Sequence, residues 1–123
     1  MPGAGQILEK FYVAVARKDI AAARAFLADD LLFLGLFETY RNANEYLAAL
    51  TKLLGITLRL EVKKIIAEGD DAAVFFQLET GAPIKASTLV AEWHRIRNGK
   101  IARVQSAFDG RPFAAMFSGG SQT

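Results

Sequence analysis

The chain has 123 residues, of which 52% are hydrophobic and 23% charged, and this length and composition are typical of one globular domain. The absence of cysteine and the presence of a single histidine exclude disulfides and thiolate ligands and argue against a multi-histidine metal centre, so we predict no metal and no cofactor. The net charge of +2 comes from dispersed basic residues, so we expect no nucleic-acid partner. No apolar run is long enough to span a membrane, so we expect no membrane partner. The N-terminal residues do not have the pattern of a secretory signal, so we expect a cytoplasmic location.

Two helices and a short strand are predicted at the start of the chain. Apolar residues recur every three or four positions in residues 6–17, which is the spacing of an amphipathic helix. Asp19 can cap a short second helix that ends at Asp29–Asp30. The uniformly apolar segment Leu31–Phe37 then predicts a short buried strand.

A third helix and four long strands follow. Asn42 and Glu45 have the spacing of a capping box at the start of this helix, and Gly55 is expected to end it as a left-handed cap. Alternating apolar and polar residues then predict four consecutive strands, at Ile56–Glu68, Ala72–Thr80, Ala86–Arg97 and Lys100–Phe108.

The last two strands form the centre of the predicted site. They meet at Asn98–Gly99, two residues that tolerate the positive φ angles of a type I′ turn. Alternation places Glu92 and His94 on one face of the first strand and Ser106 on the matching face of the second. Polar groups placed among apolar ones cost free energy unless they are hydrogen-bonded, so this face predicts a functional pocket.

The order of the elements predicts an α+β domain, because the helices precede the long strands. Strands of this length twist and curve, so we expect a cone with three helices on the concave side of a strongly curved, mostly antiparallel sheet. Residues 1–117 are predicted to form this single domain, and residues 118–123 a disordered tail. Phe75 and Trp93 lie on the outer face of the predicted sheet and indicate a homodimer formed through that face.

Two segments, RKDIAAARAFLADD and EWHRIRNGKIARVQSAFD, together with the element order, resemble the nuclear transport factor 2-like superfamily. Within it, the chain is most similar to the SnoaL-like polyketide cyclases and the ketosteroid isomerases. The resemblance implies the cone-shaped, cystatin-like α+β fold. This fold carries enzymes, binding modules and assembly domains, so it does not by itself imply one function.

The resemblance also implies roles for individual residues. Glu92 falls where ketosteroid isomerases place an acid that hydrogen-bonds the substrate oxyanion, and where SnoaL-like cyclases place a histidine. Gly35 falls at the position of the isomerases' catalytic base and Ser106 at that of the cyclases' base, and neither residue is a base. Phe11, rather than Tyr12, aligns with the tyrosine of the isomerases' first helix.

Two functions stay open. The first is a metal-free isomerase, cyclase or lyase that acts on a hydrophobic carbonyl or cyclic compound by proton transfer through Glu92 and His94. The second is a non-catalytic ligand-binding or dimerisation module, in which the same pair is structural. Asp109 is expected to cap the turn after the last strand. The residues expected to contact a small hydrophobic ligand are Tyr12, Phe33, Tyr40, Leu58, Val74, Phe76, Val90, Val104, Ser106 and Phe108.

Overall fold

A computed structural model describes residues 2–115, so the predicted tail at residues 118–123 lies outside the described residues. Three helices are present, α1 (Ala4–Ala16), α2 (Ile20–Arg24) and α3 (Ala43–Ile56), and a 3-10 turn covers Arg111–Phe113. None of the helices in the described part is long and apolar enough to cross a membrane. The six strands are β1 (Leu27–Leu34), β2 (Thr39–Tyr40), β3 (Thr57–Glu68), β4 (Asp71–Thr80), β5 (Ala86–Arg97) and β6 (Lys100–Phe108).

The six strands form one mixed sheet in the order β2-β1-β6-β5-β4-β3. Only the pair formed by β1 and β6 is parallel, and the long strands β3 to β6 pair antiparallel with their neighbours. Helix α1 packs against β3 and β4, and α3 packs against β1, so the helices cover one face of the curved sheet. This arrangement confirms the predicted α+β class.

The predicted local turns and caps are present. Asp19 accepts a hydrogen bond from the backbone of the second helix, and Asn42 accepts one from Glu45 N at 2.8 Å. Asn98 and Gly99 have φ angles of 53° and 74°, as a type I′ turn requires. These features depend on residues close together in the sequence, which is why the sequence predicts them well.

The prediction that Gly55 ends the third helix is wrong. Gly55 lies inside α3, and the helix continues to Ile56. Thr57 follows in an extended conformation, and its hydroxyl donates to the Leu53 carbonyl at 2.8 Å. Because this side chain satisfies a terminal carbonyl, the helix ends without a left-handed residue.

The first strand begins four residues earlier than predicted and includes Asp29–Asp30. Both aspartates are exposed, and each forms an ion pair, Asp29 with Arg24 and Asp30 with Arg97. The pairing of β1 with β6 is irregular between Leu27 and Leu32, which accommodates the acidic pair at the surface. The two-residue strand β2, which was not predicted, is too short to show alternation.

Bulges also shift two predicted strand faces. Leu58 was expected to face the interior with Leu60 and Val62, yet its exposure is 75% because the pairing of β3 is irregular on both sides of this segment. Alternation along Lys100–Phe108 predicts that Ile101 lies on the face opposite Ser106, the outer one, yet Ile101 is fully buried because the β5–β6 pairing shifts between Arg95 and Ile96. Alternation assigns faces correctly only along a strand without bulges.

Candidate functional site

A cavity of about 680 Å³ lies between the helices and the concave face of the sheet. Its volume falls in the range of about 300–1,000 Å³ that is usual for small-molecule sites, and its walls are mostly apolar. Eight of the predicted site residues line it: Tyr12, Phe33, Tyr40, Phe76, Val90, Glu92, Ser106 and Phe108.

Four predicted site residues do not line this cavity. Leu58 was expected to contact the ligand and instead points to solvent. Val74 and Val104 face inward but are completely buried in the core. His94 is also completely buried, because the side chains of α1 pack over it. The predicted interior is therefore a filled core at one end and an open cavity at the other.

Tyr12 connects the two ends. Its hydroxyl donates to Glu92 Oε1 in a short hydrogen bond and lies 3.0 Å from His94 Nε2, while Nε2 lies 3.5 Å from the same carboxylate oxygen. All three side chains are buried. The resemblance aligned Phe11 with this position, and the structure instead brings Tyr12 to Glu92. We call this hydrogen-bonded set of His94, Tyr12 and Glu92 the polar triad.

The contacts within the polar triad determine which atoms carry the protons. Within residues 2–115, His94 Nδ1 is the one fully buried side-chain nitrogen or oxygen that has no hydrogen-bond partner. An unpaired N–H in this position would be costly, whereas a neutral ring leaves only an unpaired acceptor there. We therefore assign the proton to Nε2, which donates to Tyr12, and the Tyr12 hydroxyl donates in turn to Glu92. His94 is neutral in this assignment, and Glu92 acts as the acceptor.

Two buried tyrosines keep their protons beside this carboxylate. Burial raises the pKa of Tyr12, and the charge of Glu92, the nearby Tyr46 and the hydrogen bond to Glu92 raise it further. Burial and the charge of Glu92 also raise the pKa of Tyr46. Tyr46 stacks on Phe33 with ring centroids 4.9 Å apart and lines the cavity, but its hydroxyl bonds to no group in the described part. Tyr46 is thus a hydrogen-bond donor without an acceptor.

Sequence reasoning missed Tyr46 as a site residue. It belongs to the apolar stripe of α3, where an aromatic residue is usually core. The hydroxyl could have identified it, because a phenol on a helix face that covers a sheet needs a partner when it is buried.

Two further hydroxyls of the cavity, those of Ser106 and Thr88, also lack a partner in the described part of the chain. Ser106 lies directly opposite Glu92 in the sheet, and Thr88 lies on the same face four residues before Glu92. Neither hydroxyl forms a hydrogen bond within residues 2–115, and the same is true of Glu92 Oε2. The cavity therefore presents three donors and one free carboxylate oxygen, with Ser106 beside Glu92 and Thr88 about 13 Å further along β5.

The mouth of the cavity is formed by the segment before β2 and by the turn after β6. Leu36 and Phe37 line it and are 49% and 38% exposed. Tyr40 donates to Glu38 there, and burial together with that hydrogen bond raises the pKa of Tyr40 to about 12. At Gly110, an added Cβ would lie 2.9 Å from the Phe37 ring, so this loop packs on the glycine.

Asp109 lies outside the cavity and caps the turn as predicted. Its carboxylate accepts a hydrogen bond from Arg111 N at 3.1 Å and forms an ion pair with the Arg111 guanidinium. These contacts lower the pKa of Asp109 to about 2.

A wider groove of about 850 Å³ lies between α1 and β3 and shares Tyr12 and Leu60 with the cavity. In the described residues no group of three acidic, histidine or cysteine side chains is placed to hold a metal.

The fold and the site define the chain as a curved α+β pocket protein with a buried carboxylate. A family model described as the SnoaL-like domain matches residues 8–104, so the chain belongs to the SnoaL-like family. No curated protein matches the chain significantly.

Solved structures share the fold at low sequence identity. A nuclear transport factor 2-like protein of unknown function from Cytophaga hutchinsonii is 18% identical, with a TM-score of 0.79 over 91% of this chain and 96% of that one. An epoxide hydrolase of M. tuberculosis, described as LEH-like, is 21% identical, with a TM-score of 0.75 over 97% and 92%. A suggested ketosteroid isomerase from Kribbella flavida is 18% identical, with a TM-score of 0.77 over 86% and 77%. At these identities the likeness shows the nuclear transport factor 2-like fold alone.

Proposed function

We propose that the chain binds a small, largely apolar molecule in the cavity and that Glu92 accepts a proton from it. The observation that carries this proposal is the placement of Glu92. Tyr12 holds one oxygen of its carboxylate, and the other oxygen has no donor within residues 2–115. A carboxylate oxygen that no protein donor occupies can accept a hydrogen bond or a proton from a bound molecule.

The unpartnered hydroxyls of Tyr46 and Ser106 supply the hydrogen-bond donors that such a proton transfer needs. A ligand oxygen that gains negative charge when Glu92 removes a proton needs hydrogen-bond donors fixed in advance. Such donors stabilise an enolate, which is the intermediate of metal-free isomerisation, cyclisation or elimination next to a carbonyl. The name of one similar structure, a suggested ketosteroid isomerase, is compatible with a carbonyl ligand.

The test uses 4-phenylcyclohexanone, a neutral ring ketone small enough for the cavity. We expect it to raise the melting temperature of the wild-type protein and to exchange its α-hydrogens for deuterium faster than in buffer. Glu92→Gln keeps the shape of the side chain and an acceptor for Tyr12 but is not a base, so it should bind the ketone and abolish the catalysed exchange. Absence of any thermal shift with ring ketones would overturn the proposed function.

The alternative function is binding without catalysis. It is favoured if the ketone binds and its α-hydrogens exchange at the buffer rate in both proteins. In that case Glu92→Gln should alter only affinity and stability, since a poorly paired buried group costs about 1–3 kcal/mol.

We also propose that two copies associate through the outer face of the sheet. Trp93 and Leu89 are 49% and 55% exposed there, and Phe75 pairs with Ala91 between them. Exposed apolar side chains that adjoin one another typically mark a contact. Light scattering should give the mass of a dimer at tens of micromolar protein, and Trp93→Glu should give a monomer with an unchanged circular dichroism spectrum. A monomeric wild-type protein would refute this proposal.

A further inference from the structure

The charges around the cavity are distributed unevenly. Three carboxylates line it, Glu38 and Glu45 on exposed positions and Glu92 at the buried inner end. Within the described residues, Lys52 is the one basic side chain in the lining, and it is also exposed. In the part of the chain that the structure describes, no arginine or lysine lines the inner end.

No lysine or arginine among the described residues forms an ion pair with Glu92. In residues 2–115 its ion-pair neighbour is His94, whose Nε2 lies 3.5 Å from the carboxylate. With the ring proton assigned to Nε2 alone, the imidazole contributes a dipole through Tyr12 but no positive charge. A buried carboxylate without a counter-charge attracts a cation more strongly than an exposed one, since the local dielectric constant is low.

The cavity walls favour the same kind of ligand. Phe33 stacks on Tyr46, and Phe108 packs edge-on against Phe113 with ring centroids 5.8 Å apart. Phe37 contacts Phe108 in a similar geometry at 6.4 Å. Aromatic faces carry partial negative charge, and protein sites for organic ammonium ions combine such faces with a carboxylate.

We propose that the cavity selects a protonated aromatic or alicyclic amine, whose ammonium group pairs with Glu92, and excludes carboxylates of the same shape. A carboxylate ligand would place a second negative charge beside Glu92 with no basic side chain to compensate it. This inference rests on the proposed function and adds the charge of the ligand, which that function leaves open.

The experiment compares four compounds on one skeleton: 4-phenylcyclohexanone, 4-phenylcyclohexanol, 4-phenylcyclohexylamine and 4-phenylcyclohexanecarboxylic acid. Their dissociation constants are measured by calorimetry at neutral pH, where the amine is cationic and the acid anionic. We expect the amine to bind the wild-type protein about tenfold or more tightly than the alcohol, which corresponds to about 1.4 kcal/mol. The acid should bind about tenfold more weakly than the alcohol or not at all.

Two variants test whether the charge of Glu92 causes the preference for the amine over the alcohol. In Glu92→Gln the preference for the amine over the alcohol should fall to about threefold or less, because the amide keeps the shape and loses the charge. Glu79→Gln removes the same charge from β4 at a position outside the cavity lining and should keep the wild-type preference. If Glu92→Gln fails to fold, the wild-type comparison of the four compounds still decides the question.

The outcomes separate the two proposals. If the ketone and the alcohol bind and the amine binds no more tightly, the charge inference is wrong and the proposed function stands. If Glu79→Gln loses the preference as Glu92→Gln does, the overall charge of the protein selects the amine and the inference is again wrong. If none of the four compounds binds, the proposed function fails as well.

Discussion

Tyr12→Phe should separate the structural part of the polar triad from its chemical part. The substitution removes one hydroxyl that serves as the acceptor for His94 and the donor for Glu92. It leaves a buried carboxylate short of a donor and a buried imidazole N–H short of an acceptor. Loss of a hydrogen bond to a charged group costs about 1.5–3 kcal/mol. For a domain of this size, about 4 °C per kcal/mol then gives a melting temperature lower by about 6–12 °C.

Tyr46→Phe is the matched control. Tyr46 is as buried as Tyr12 and lines the same cavity, but its hydroxyl has no partner in the described part. Removing a buried hydroxyl that bonds to nothing is neutral or slightly stabilising, so the melting temperature should stay or rise. Ketone affinity should fall, because the ligand loses a donor. Chemical denaturation and thermal shift measure both variants, and equal destabilisation of the two would refute the hydrogen-bond assignment.

Tyr12→Phe and Tyr46→Phe should also change how the stability of the protein depends on alkaline pH. The pKa of Tyr12 and that of Tyr46 are raised above the unfolded value of about 10, so the folded protein keeps protons that the unfolded chain releases. Their contribution to stability is complete below pH about 10 and is lost as pH rises above it, by about 1.4 kcal/mol per pH unit for each group. The unfolding free energy of each single variant should therefore fall less steeply with pH above about 10 than that of the wild-type protein, because one of the two tyrosines is missing. An unchanged slope in Tyr12→Phe would contradict the burial of its hydroxyl.

Three further predictions test other parts of the structure. Gly110→Ala should push Phe37 and Leu36 away from the turn, lowering stability by about 1–3 kcal/mol and weakening ketone binding, as calorimetry would measure. Asp109→Asn should flatten the acid limb of stability against pH, since the lowered pKa of Asp109 stabilises the fold above pH about 4 and this contribution is lost as pH falls towards 2. Leu58→Ser should change the unfolding free energy by less than about 0.5 kcal/mol because the side chain is exposed. A large loss of stability would instead support the sequence prediction that Leu58 faces the interior.

Much of the fold could be predicted because the decisive features are local. Asn98–Gly99, Asp19 and Asn42 each act through residues a few positions away, and each has the predicted role. Strand faces depend on pairing with distant partners, which is why Leu58 and Ile101 were placed on the wrong faces. A bulge reverses alternation, and no residue type marks its position reliably.

The site was predictable to the level of a strand face and no further. Alternation along β5 correctly placed Glu92 and His94 on the inner face. Which residue of the first helix meets them depends on how α1 rotates about its axis when its whole apolar stripe packs, and Phe11 and Tyr12 are both in that stripe. The structure resolves this choice, because Phe11 packs near the His94 ring and Tyr12 reaches the carboxylate.

The hypothesis of a purely structural pair accounts for only part of the arrangement. It explains His94 and Tyr12, whose contacts anchor α1 to the sheet. It does not explain why the hydroxyls of Tyr46 and Ser106 and the second oxygen of Glu92 bond to nothing within residues 2–115 and gather at one end of an apolar cavity. Each of these groups borders the open cavity rather than the filled core, so it can bond to a bound ligand, whereas a purely structural pair would need neither the opening nor these hydroxyls.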